Sequence, residues 1–555
     1  MTTLSKSTAS NAAALRPEQA ALLLLARTEL DTTQQAQLRS LLGQVDWDSL
    51  ILLAERHGLL PLLNEHLARI EPGALPPHWQ PFVARYVEAA AVNGLELTAE
   101  LVRVVRALAE QGITAVPYKG PVVAKQLFGN LALRMFGDLD LLVRERDIVA
   151  AAAVLERCGY AATFGFDTTR PWRHGAPGQY AFRHREQHRL VELHTEATLR
   201  YFPVRADFDE FWLRLQPLPM GDASLSTLAA EDLLLFLCVH GAKDFWERLA
   251  WIADVAQLVR KHPDLDWAAA LERAERYGAG RIVRLGLTLA QDLLDAPLPE
   301  SIAAQVRADA VAVSLARQIA RELFAEASSF EGLMRRFWFR LRLHGQVGGG
   351  LRYASRMVLL PTEEDWEAVR LPQALHGLYY LVRPARLAWR YGMGLLGRAK
   401  VPDLGNYVPT PEEVVVRMLE LAEVKPEDVV YDLGCGDGRC VVLAAKRFGA
   451  RGVGVEIDPR RIAEARARVR REGVADRVRI LQQDARRVSL REATVVLLTL
   501  TGMAHLKLRE KLRRELPAGA RIVARRNHLG AWAPAHSEEF VDHGGAVNVL
   551  YLWRL

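Results

Sequence analysis

One stretch near the end of the chain decides the fold there: Val429-Val430-Tyr431-Asp432-Leu433-Gly434-Cys435-Gly436-Asp437-Gly438-Arg439. Its apolar first half predicts a buried strand, and residues 441–446 after it predict a helix. Glycine at alternate positions between them lets the backbone turn sharply and lets a ligand approach without meeting a Cβ. The stretch therefore predicts a strand–loop–helix unit with a ligand site at the loop.

Three carboxylates near this loop indicate which ligand it holds. Asp432 lies inside the strand, where a carboxylate can meet an ammonium group but would repel a pyrophosphate. Glu456 ends the second apolar run and is placed to accept hydrogen bonds from a ribose diol. Asp484 follows the third run and can accept from an adenine amine. An adenosine-containing cofactor is predicted, and S-adenosylmethionine is favoured over NAD or FAD.

Residues 405–555 continue as alternating strands and helices, which predicts a Rossmann-like α/β domain with a mostly parallel sheet. Thr410 is expected to cap the first helix, with Pro411 as its first residue. The apolar run 494–500 is typical of a parallel strand covered on both faces.

This region resembles the class I S-adenosylmethionine-dependent methyltransferases, whose sheet has seven strands. The resemblance implies that Asp432, Gly434, Gly436, Gly438, Glu456 and Asp484 bind the cofactor. The stretches 407–411 and 431–439, with Trp532 and 550–553, are similar to the mitochondrial lysine methyltransferases that act on the ATP synthase c subunit and the adenine nucleotide translocase. The acceptor segment 499–503 departs from that branch, and the sequence identifies no general base.

A second set of motifs lies in the first half of the chain. Lys119-Gly120 opens a predicted helix, where free N–H groups and a lysine suit a phosphate. Asp138 and Asp140 lie on one face of a predicted strand, and two such carboxylates repel each other unless a divalent cation lies between them. Glu192 shares a face with His194 on a later strand. These residues predict a site for a phosphate and a divalent cation.

The set resembles the nucleotidyltransferase superfamily, in particular its uncharacterised bacterial branch, over roughly residues 17–390. The resemblance implies an α/β core embedded in helices. It also implies nucleotidyl transfer from a nucleoside triphosphate, with Asp138, Asp140 and Glu192 as catalytic residues and Mg²⁺ ligands, and Lys119 and Gly120 on the phosphates. Lys119 stands where most of the superfamily has glycine, and Glu192 where aspartate is commoner.

The length of 555 residues and the 25% of charged residues fit a multidomain α/β protein. We expect a disordered N-terminus at 1–16, a nucleotidyltransferase-like domain at 17–390, a linker at 391–404 and the methyltransferase at 405–555. Within 17–390, segments 17–110 and 225–390 are predicted to be helical and 111–200 to form the core. No transmembrane segment or targeting signal is evident, so a cytoplasmic location is expected.

The net charge of +6 is unevenly distributed, with an acidic region before residue 335 and basic ones after it. Arginines and aromatic residues alternate in 335–400, a pattern that can bind nucleic acid or a membrane surface but is favoured here as a closing helical layer. The four cysteines form no CxxC pair and indicate neither disulfides nor zinc.

The leading hypothesis is a methyltransferase, with a protein lysine as one candidate acceptor, fused to a Mg²⁺-dependent nucleotidyltransferase. One alternative is that the N-terminal domain is inactive and recruits the substrate. Another is a non-enzymatic module that senses nucleotide and S-adenosylmethionine.

Overall fold

The computed structural model describes residues 15–163, 178–187, 189–196, 204, 208–324, 333–344, 347–361, 365, 369, 371–392, 409–542 and 547–555. The chain divides into two compact units, the first comprising Met1–Pro76 and Gln80–Arg398 and the second comprising Pro77–Trp79 and Ala399–Leu555. Most of the expected disordered N-terminus (1–16) and linker (391–404) lies outside the described residues, as does the 407–408 part of the methyltransferase motif.

The first unit begins with helices whose apolar faces form a buried layer, as the three- and four-residue spacing predicts. They are Pro17–Leu25, Thr32–Leu42, Trp47–Arg56, Leu60–Ile70 and Gln80–Ala109. Asp31 and Asp46 cap two of them by accepting from the backbone N–H groups of Gln34 and Ser49.

A five-stranded sheet follows, with the spatial order β1-β2-β5-β4-β3. Its strands are β1 Val116–Pro117, β2 Asp138–Leu142, β3 Tyr160–Ala162, β4 Gln179–His184 and β5 Leu190–His194. β2 and β5 are parallel and the other pairs are antiparallel. Leu139 and Leu141 point into the buried core on one face, so the carboxylates of β2 lie on the other.

Short elements surround this sheet and close the unit. They are the turn Pro121–Val123, the π-helical Ala124–Phe128, Glu145–Asp147, Ile148–Arg157, Phe208–Trp212, and a hairpin of β6 Gln216–Met220 and β7 Ala223–Thr227. The sequence predicted one helix over 122–128, and the hairpin was not foreseen. The helices after the hairpin are Ala230–Lys243, Leu249–Lys261, Trp267–Arg276, Gly280–Leu294, Glu300–Ala308, Ala310–Glu322, Leu333–Leu343, Val347–Leu359, Gln373–Leu378 and Tyr379–Gly392.

The second unit contains a seven-stranded sheet with the order β10-β9-β8-β11-β12-β14-β13. Its strands are β8 Val429–Leu433, β9 Arg451–Glu456, β10 Val478–Gln482, β11 Val495–Leu498, β12 Arg521–Arg525, β13 His536–Val541 and β14 Val547–Arg554. The first five are parallel, and the last two are antiparallel to their neighbours. The predicted α/β fold class with a mostly parallel seven-stranded sheet is confirmed.

Helices cover both faces of this sheet, which is why β8 and β11 are buried throughout. They are Glu412–Leu421, Arg439–Phe448, Pro459–Arg471 and Gly502–Glu515. The predicted start of the first helix is wrong by one residue, because Pro411 is the N-cap and no side chain caps the helix. β13 was also missed, since its alternation of half-buried and exposed residues at a sheet edge gives no apolar run.

Over the part of the chain that the structure describes, no helix combines the length and the apolar character needed to cross a bilayer.

Candidate active sites

The second unit has a cavity of about 740 Å³ at the carboxyl ends of its parallel strands. The chain order reverses between β8 and β11, and ligands of open α/β sheets bind at such a switch point. Among the residues that line the cavity are the predicted Asp432, Gly434, Glu456 and Asp484. The size is in the range of small-molecule sites.

The glycine-rich loop connects β8 to the helix Arg439–Phe448, as the sequence predicted. Gly434 has φ +86°, a value that residues with a Cβ rarely adopt, and a Cβ there would collide with Leu500. Gly436 and Gly438 also have positive φ. The loop thus brings bare backbone to the cavity wall.

Glu456 is held at the tip of β9 by backbone N–H groups. Its Oε2 accepts from Gly436 at 2.9 Å, and its Oε1 accepts from Ile457 at 2.6 Å and Asp458 at 2.9 Å. Each carboxylate oxygen has two lone pairs, so Oε1 is fully used and Oε2 can still accept from one hydroxyl donor of a ligand. The carboxylate is fixed in place and linked directly to the glycine-rich loop.

Asp432 is the most unusual group in the cavity. It is 1% exposed, and neither carboxylate oxygen has a nitrogen or oxygen partner within the described part of the chain. Burial raises its pKa to about 7, and the thiol of Cys440 offsets only part of this rise. A buried carboxylate without a partner is costly, and a cationic ligand group would supply the missing partner.

Asp484 follows β10 and forms an ion pair with Arg486, with Oδ2 2.6 Å from Nη2. The hydrogen bond from Arg486 lowers the pKa of Asp484, so the carboxylate is ionised at neutral pH. The residue therefore reaches the cavity as a hydrogen-bond acceptor.

The ends of β11 and β12 form the other side of the cavity and carry no carboxylate. Thr499, Leu500 and Thr501 follow β11, and Asn527 donates from Nδ2 to the carbonyl oxygen of Leu500 at 2.8 Å. Arg525 and Arg526 complete this side, and Arg526 has φ +65°. This side is positively charged.

In the first unit, the parallel register of β2 and β5 places Asp140 opposite Glu192. The Nε2 atom of His194 lies 2.9 Å from Oδ1 of Asp140 and 3.3 Å from Oε2 of Glu192. Ligand atoms of these three residues all lie within 4.8 Å of one another, which suits a metal ion. Asp138, predicted as a ligand, lies on the same face but is not a member of this cluster.

The predicted phosphate-binding pair lies beside the cluster. Lys119 follows β1, and its Nζ is 3.1 Å from Oδ1 of Asp140. Gly120 has φ +55°, and a Cβ there would lie 3.2 Å from the carbonyl oxygen of Asp138. The lack of a side chain thus lets the loop approach β2 closely.

The charges of this site are strongly coupled. Burial, followed by repulsion from Asp140 and Glu192, raises the pKa of Asp138 to about 6. Burial alone would raise the pKa of Asp140, but Lys119 and His194 hold it well below its usual range. Contact with His194 lowers the pKa of Glu192. Asp140 and Glu192 are therefore anionic at neutral pH.

Both arrangements fit the groups that the sequence predicted. The buried carboxylate of Asp432 suits the ammonium group of an adenosine-containing cofactor, and the fixed carboxylate of Glu456 suits its ribose. The bare backbone of the loop lets such a cofactor approach closely. The carboxylates of Asp140 and Glu192 suit a divalent cation. The sequence missed the part played by His194, although its shared face with Glu192 was a signal. It also missed Arg525 and Arg526, for which no motif exists.

Comparison with known proteins gives the classes of the two units. Residues 43–295 match the family described as "Uncharacterised nucleotidyltransferase", and residues 432–536 match the "ANTKMT methyltransferase domain". The first unit thus carries a nucleotidyltransferase-like domain, and the second is a methyltransferase domain. Through this second domain, the chain belongs to the ANTKMT methyltransferase family.

Individual relatives match the second domain. A protein-lysine N-methyltransferase of Saccharolobus islandicus is 43% identical over 148 residues, which are 26% of this chain and 91% of that protein. The mouse adenine nucleotide translocase lysine N-methyltransferase is 38% identical, over 25% of this chain and 58% of its own. A structure described as an RNA methyltransferase of Salinibacter ruber with S-adenosyl-L-homocysteine is 44% identical, over 26% of this chain and 93% of its own, with a TM-score of 0.25. The chain thus spans nearly all of the archaeal relative and just over half of the mouse one.

Proposed function

We propose that the second unit transfers a methyl group from S-adenosylmethionine to a lysine side chain of a protein. The observation that carries the cofactor assignment is Asp432, a buried carboxylate in the cavity wall whose oxygens have no nitrogen or oxygen partner among the described residues. The ammonium of the cofactor is a partner of the required charge. The names of the archaeal and mouse relatives support lysine as the acceptor.

The residues of the cavity have separate tasks in this proposal. Asp432 pairs with the ammonium, Glu456 accepts from a ribose hydroxyl through Oε2, and Asp484 accepts from the adenine amine. Gly434, Gly436 and Gly438 let the cofactor lie against the backbone of the loop. When bound, the cofactor would supply a methyl group on a positively charged sulfur, and that sulfur would leave as a neutral thioether when an in-line nucleophile bonds to the methyl carbon. The protein then contributes mainly by positioning the two reactants.

The acceptor reaches the cavity from the side formed by β11 and β12. A lysine must lose its proton before it can attack, and the described residues that line the cavity at the ends of β11 and β12 include no carboxylate to take it. Arg525 and Arg526 provide positive charge there, which lowers the pKa of a nearby ammonium. The acceptor proton then passes to water, and the arginines favour the neutral amine.

Mass spectrometry after incubation with S-adenosylmethionine tests this proposal. The full-length chain is mixed with a cell extract, and peptides with a gain of about 14 Da are mapped, the mass of CH₂ that one methylation adds. We expect the gain on lysine, its loss in Asp432→Asn, and no change in the exposed control Asp476→Asn. Gains on nucleotides or on other side chains would overturn the lysine assignment, and unchanged activity of Asp432→Asn would overturn the pocket.

A second candidate function belongs to the first unit. We propose nucleotidyl transfer from a nucleoside triphosphate with Mg²⁺, supported by Lys119 and Gly120 next to the carboxylates of Asp138, Asp140 and Glu192. Labelled nucleotide from the α-phosphate should appear on an acceptor. The label should disappear in Asp138→Asn and persist in the exposed control Asp222→Asn. Equal labelling in both variants would reject this activity.

Calorimetry separates the leading function from its alternatives. Binding of S-adenosylmethionine without Mg²⁺-ATP favours a first unit that only recruits the substrate. Binding of both ligands without transfer of either group favours a sensing module. The domain limits 17–390 and 405–555, a cytoplasmic location, and a nucleic-acid or membrane partner for 335–400 remain predictions from the sequence.

A further inference from the structure

The helix Tyr379–Gly392 of the first unit turns charged side chains inward. Nη1 of Arg383 lies 3.1 Å from Oδ2 of Asp365, and Nε of Arg386 lies 2.5 Å from Oδ1 of the same side chain, which is fully buried. Tyr379 shares this face, because side chains three or four residues apart lie on one side of a helix. Its hydroxyl donates to a backbone carbonyl oxygen at 2.8 Å. This face therefore anchors the helix to the unit.

The opposite face of the helix is apolar and exposed. Leu378, directly before the helix, is 43% exposed, and Leu381 in its first turn is 67% exposed. Ala385 and Ala388 continue this face and are exposed as well. The four residues, called the apolar stripe below, lie about half a turn away from the two arginines. A helix on the surface of a globular protein normally has the reverse arrangement, with apolar residues inward and charged residues outward.

More exposed apolar residues lie near the apolar stripe. Leu375, in the turn before the helix, is exposed, and so are Val358 and Leu359 at the end of an adjacent helix. Arg383 connects the two helices, since its Nε donates to the carbonyl oxygen of Met357 at 3.0 Å. A group of large apolar side chains that remains exposed in this way marks a surface that binds a protein or a membrane.

The sequence around the apolar stripe is strongly basic. Of residues 335–400, twelve are arginine or lysine and four are aspartate or glutamate. A membrane surface with anionic lipids attracts a segment of this charge, and an apolar helical face gains further affinity when it is buried at the boundary of the acyl chains. With 14 residues the helix is too short to cross a bilayer, but it can lie along the surface of one.

We propose that the apolar stripe of the first unit binds the surface of an anionic lipid bilayer. Leu378 and Leu381 enter the boundary between headgroups and acyl chains, and the positive charge of residues 335–400 attracts the lipid phosphates. The inward ion pairs with Asp365 hold the helix so that this face points outward. The inference depends on neither methyl transfer nor nucleotidyl transfer, so loss of either proposed activity would leave it unchanged.

Other partners fit the apolar stripe less well. A nucleic acid requires cations and aromatic rings that face outward, whereas Arg383 and Arg386 face inward and the stripe is aliphatic. Two copies of a segment with this excess of positive charge repel each other. A protein partner gains most of its affinity from aromatic or arginine anchors, which the four residues of the stripe do not include. A bilayer requires only apolar area and opposite charge.

Cosedimentation of the full-length chain with lipid vesicles tests this proposal. Binding to phosphatidylcholine vesicles that contain phosphatidylglycerol should be at least about tenfold stronger than binding to pure phosphatidylcholine, and added salt should weaken it. Leu378→Ser and Leu381→Ser together should weaken binding by at least about tenfold, because their apolar surface is lost. Leu213→Ser, which changes an exposed leucine outside the stripe, should alter binding by less than about twofold.

A fluorophore attached to Ala385→Cys identifies the surface in contact with lipid. Its emission should shift to shorter wavelength when anionic vesicles are added, because the label enters an apolar medium. The same label on Asp222→Cys, an exposed position elsewhere in the first unit, should show no shift. The wild-type chain treated with the same reagent gives the background from the native cysteines.

Several results would overturn the proposal. They are equal binding to vesicles with and without phosphatidylglycerol, vesicle binding that the two leucine changes leave intact, and a label at Ala385→Cys that does not respond. Absence of vesicle binding would also overturn it, and binding of single-stranded RNA or self-association of the chain would then identify a different partner for this surface. Circular dichroism of every variant verifies folding.

Discussion

Replacement of Asp432 by asparagine should stabilise the chain while it abolishes cofactor binding. Burial raises the pKa of this carboxyl from about 3.9 in an unfolded chain to about 7 in the folded one. A difference of about 3 pKa units, at 1.36 kcal/mol each, corresponds to about 4 kcal/mol of destabilisation by the ionised form. The buried amide of asparagine itself costs about 1–3 kcal/mol, so the net gain is about 1–3 kcal/mol.

The difference in stability between Asp432→Asn and the wild-type chain depends on pH. The folded-state pKa of this acid is raised, so the wild-type chain loses stability as pH rises from about 3.9 to about 7, and the loss is constant above that range. The advantage of Asp432→Asn should therefore grow between pH 5 and 7 and then level off. At pH 8 it corresponds to an increase in Tm of about 2–12 °C for a unit of this size.

Differential scanning of the full-length chain measures the effect, and S-adenosylhomocysteine identifies the relevant transition because it stabilises the unit it binds. Asp476→Asn, a change of an exposed carboxyl in the same unit, should show no such pH dependence. A lower Tm in Asp432→Asn at pH 8, or an advantage that does not change with pH, would refute the assignment of Asp432 as a buried, unpaired carboxylate. Retained binding of S-adenosylhomocysteine would refute its role in the site.

Three further predictions concern other parts of the structure. Gly434→Ala should lower stability by about 1–3 kcal/mol in chemical denaturation, because φ is positive there and the new Cβ collides with Leu500; an unchanged midpoint would contradict this. Glu456→Gln should lower the affinity for S-adenosylhomocysteine by about 10- to 100-fold in calorimetry, since hydrogen bonds to a charged acceptor are lost; a change below twofold would exclude the ribose contact. Arg134→Met should destabilise the first unit by about 3–5 kcal/mol, because it leaves the buried Asp254 without its partner at 2.8 Å; Asp254→Leu in the same chain should restore part of that loss.

Much of the second unit could be predicted from the sequence, because its signals are local. Its motif consists of the glycine spacing, Asp432 within one strand and Glu456 at the end of the next. These signals lie within about thirty residues of chain, and their order and spacing together predict the fold and the ligand site. The predicted cap at Thr410 was wrong because the backbone of Pro411 is extended (φ −53°, ψ 143°), so the helix begins one residue later and has no side-chain cap. β13 escaped prediction because an edge strand has no continuous apolar run.

The first unit was less predictable because its site is assembled from distant segments. Strand alternation correctly placed Asp138 and Asp140 on one face, but it could not show which of them lies opposite Glu192. That depends on the register between β2 and β5, which pairs Asp140 with Glu192 and Asp138 with Leu190. His194 becomes a member of the cluster for the same reason.

The hydrogen bond from the Gly436 amide to Glu456 has a further consequence. The carboxylate of Glu456, which would bind the ribose, also holds the glycine-rich loop that would contact the rest of the cofactor. The carboxylate and the loop are therefore ordered before a ligand binds. Binding then costs little conformational entropy at this loop, because the loop does not have to become ordered when the cofactor binds. The Gly436 amide should accordingly exchange its hydrogen slowly even in the empty protein.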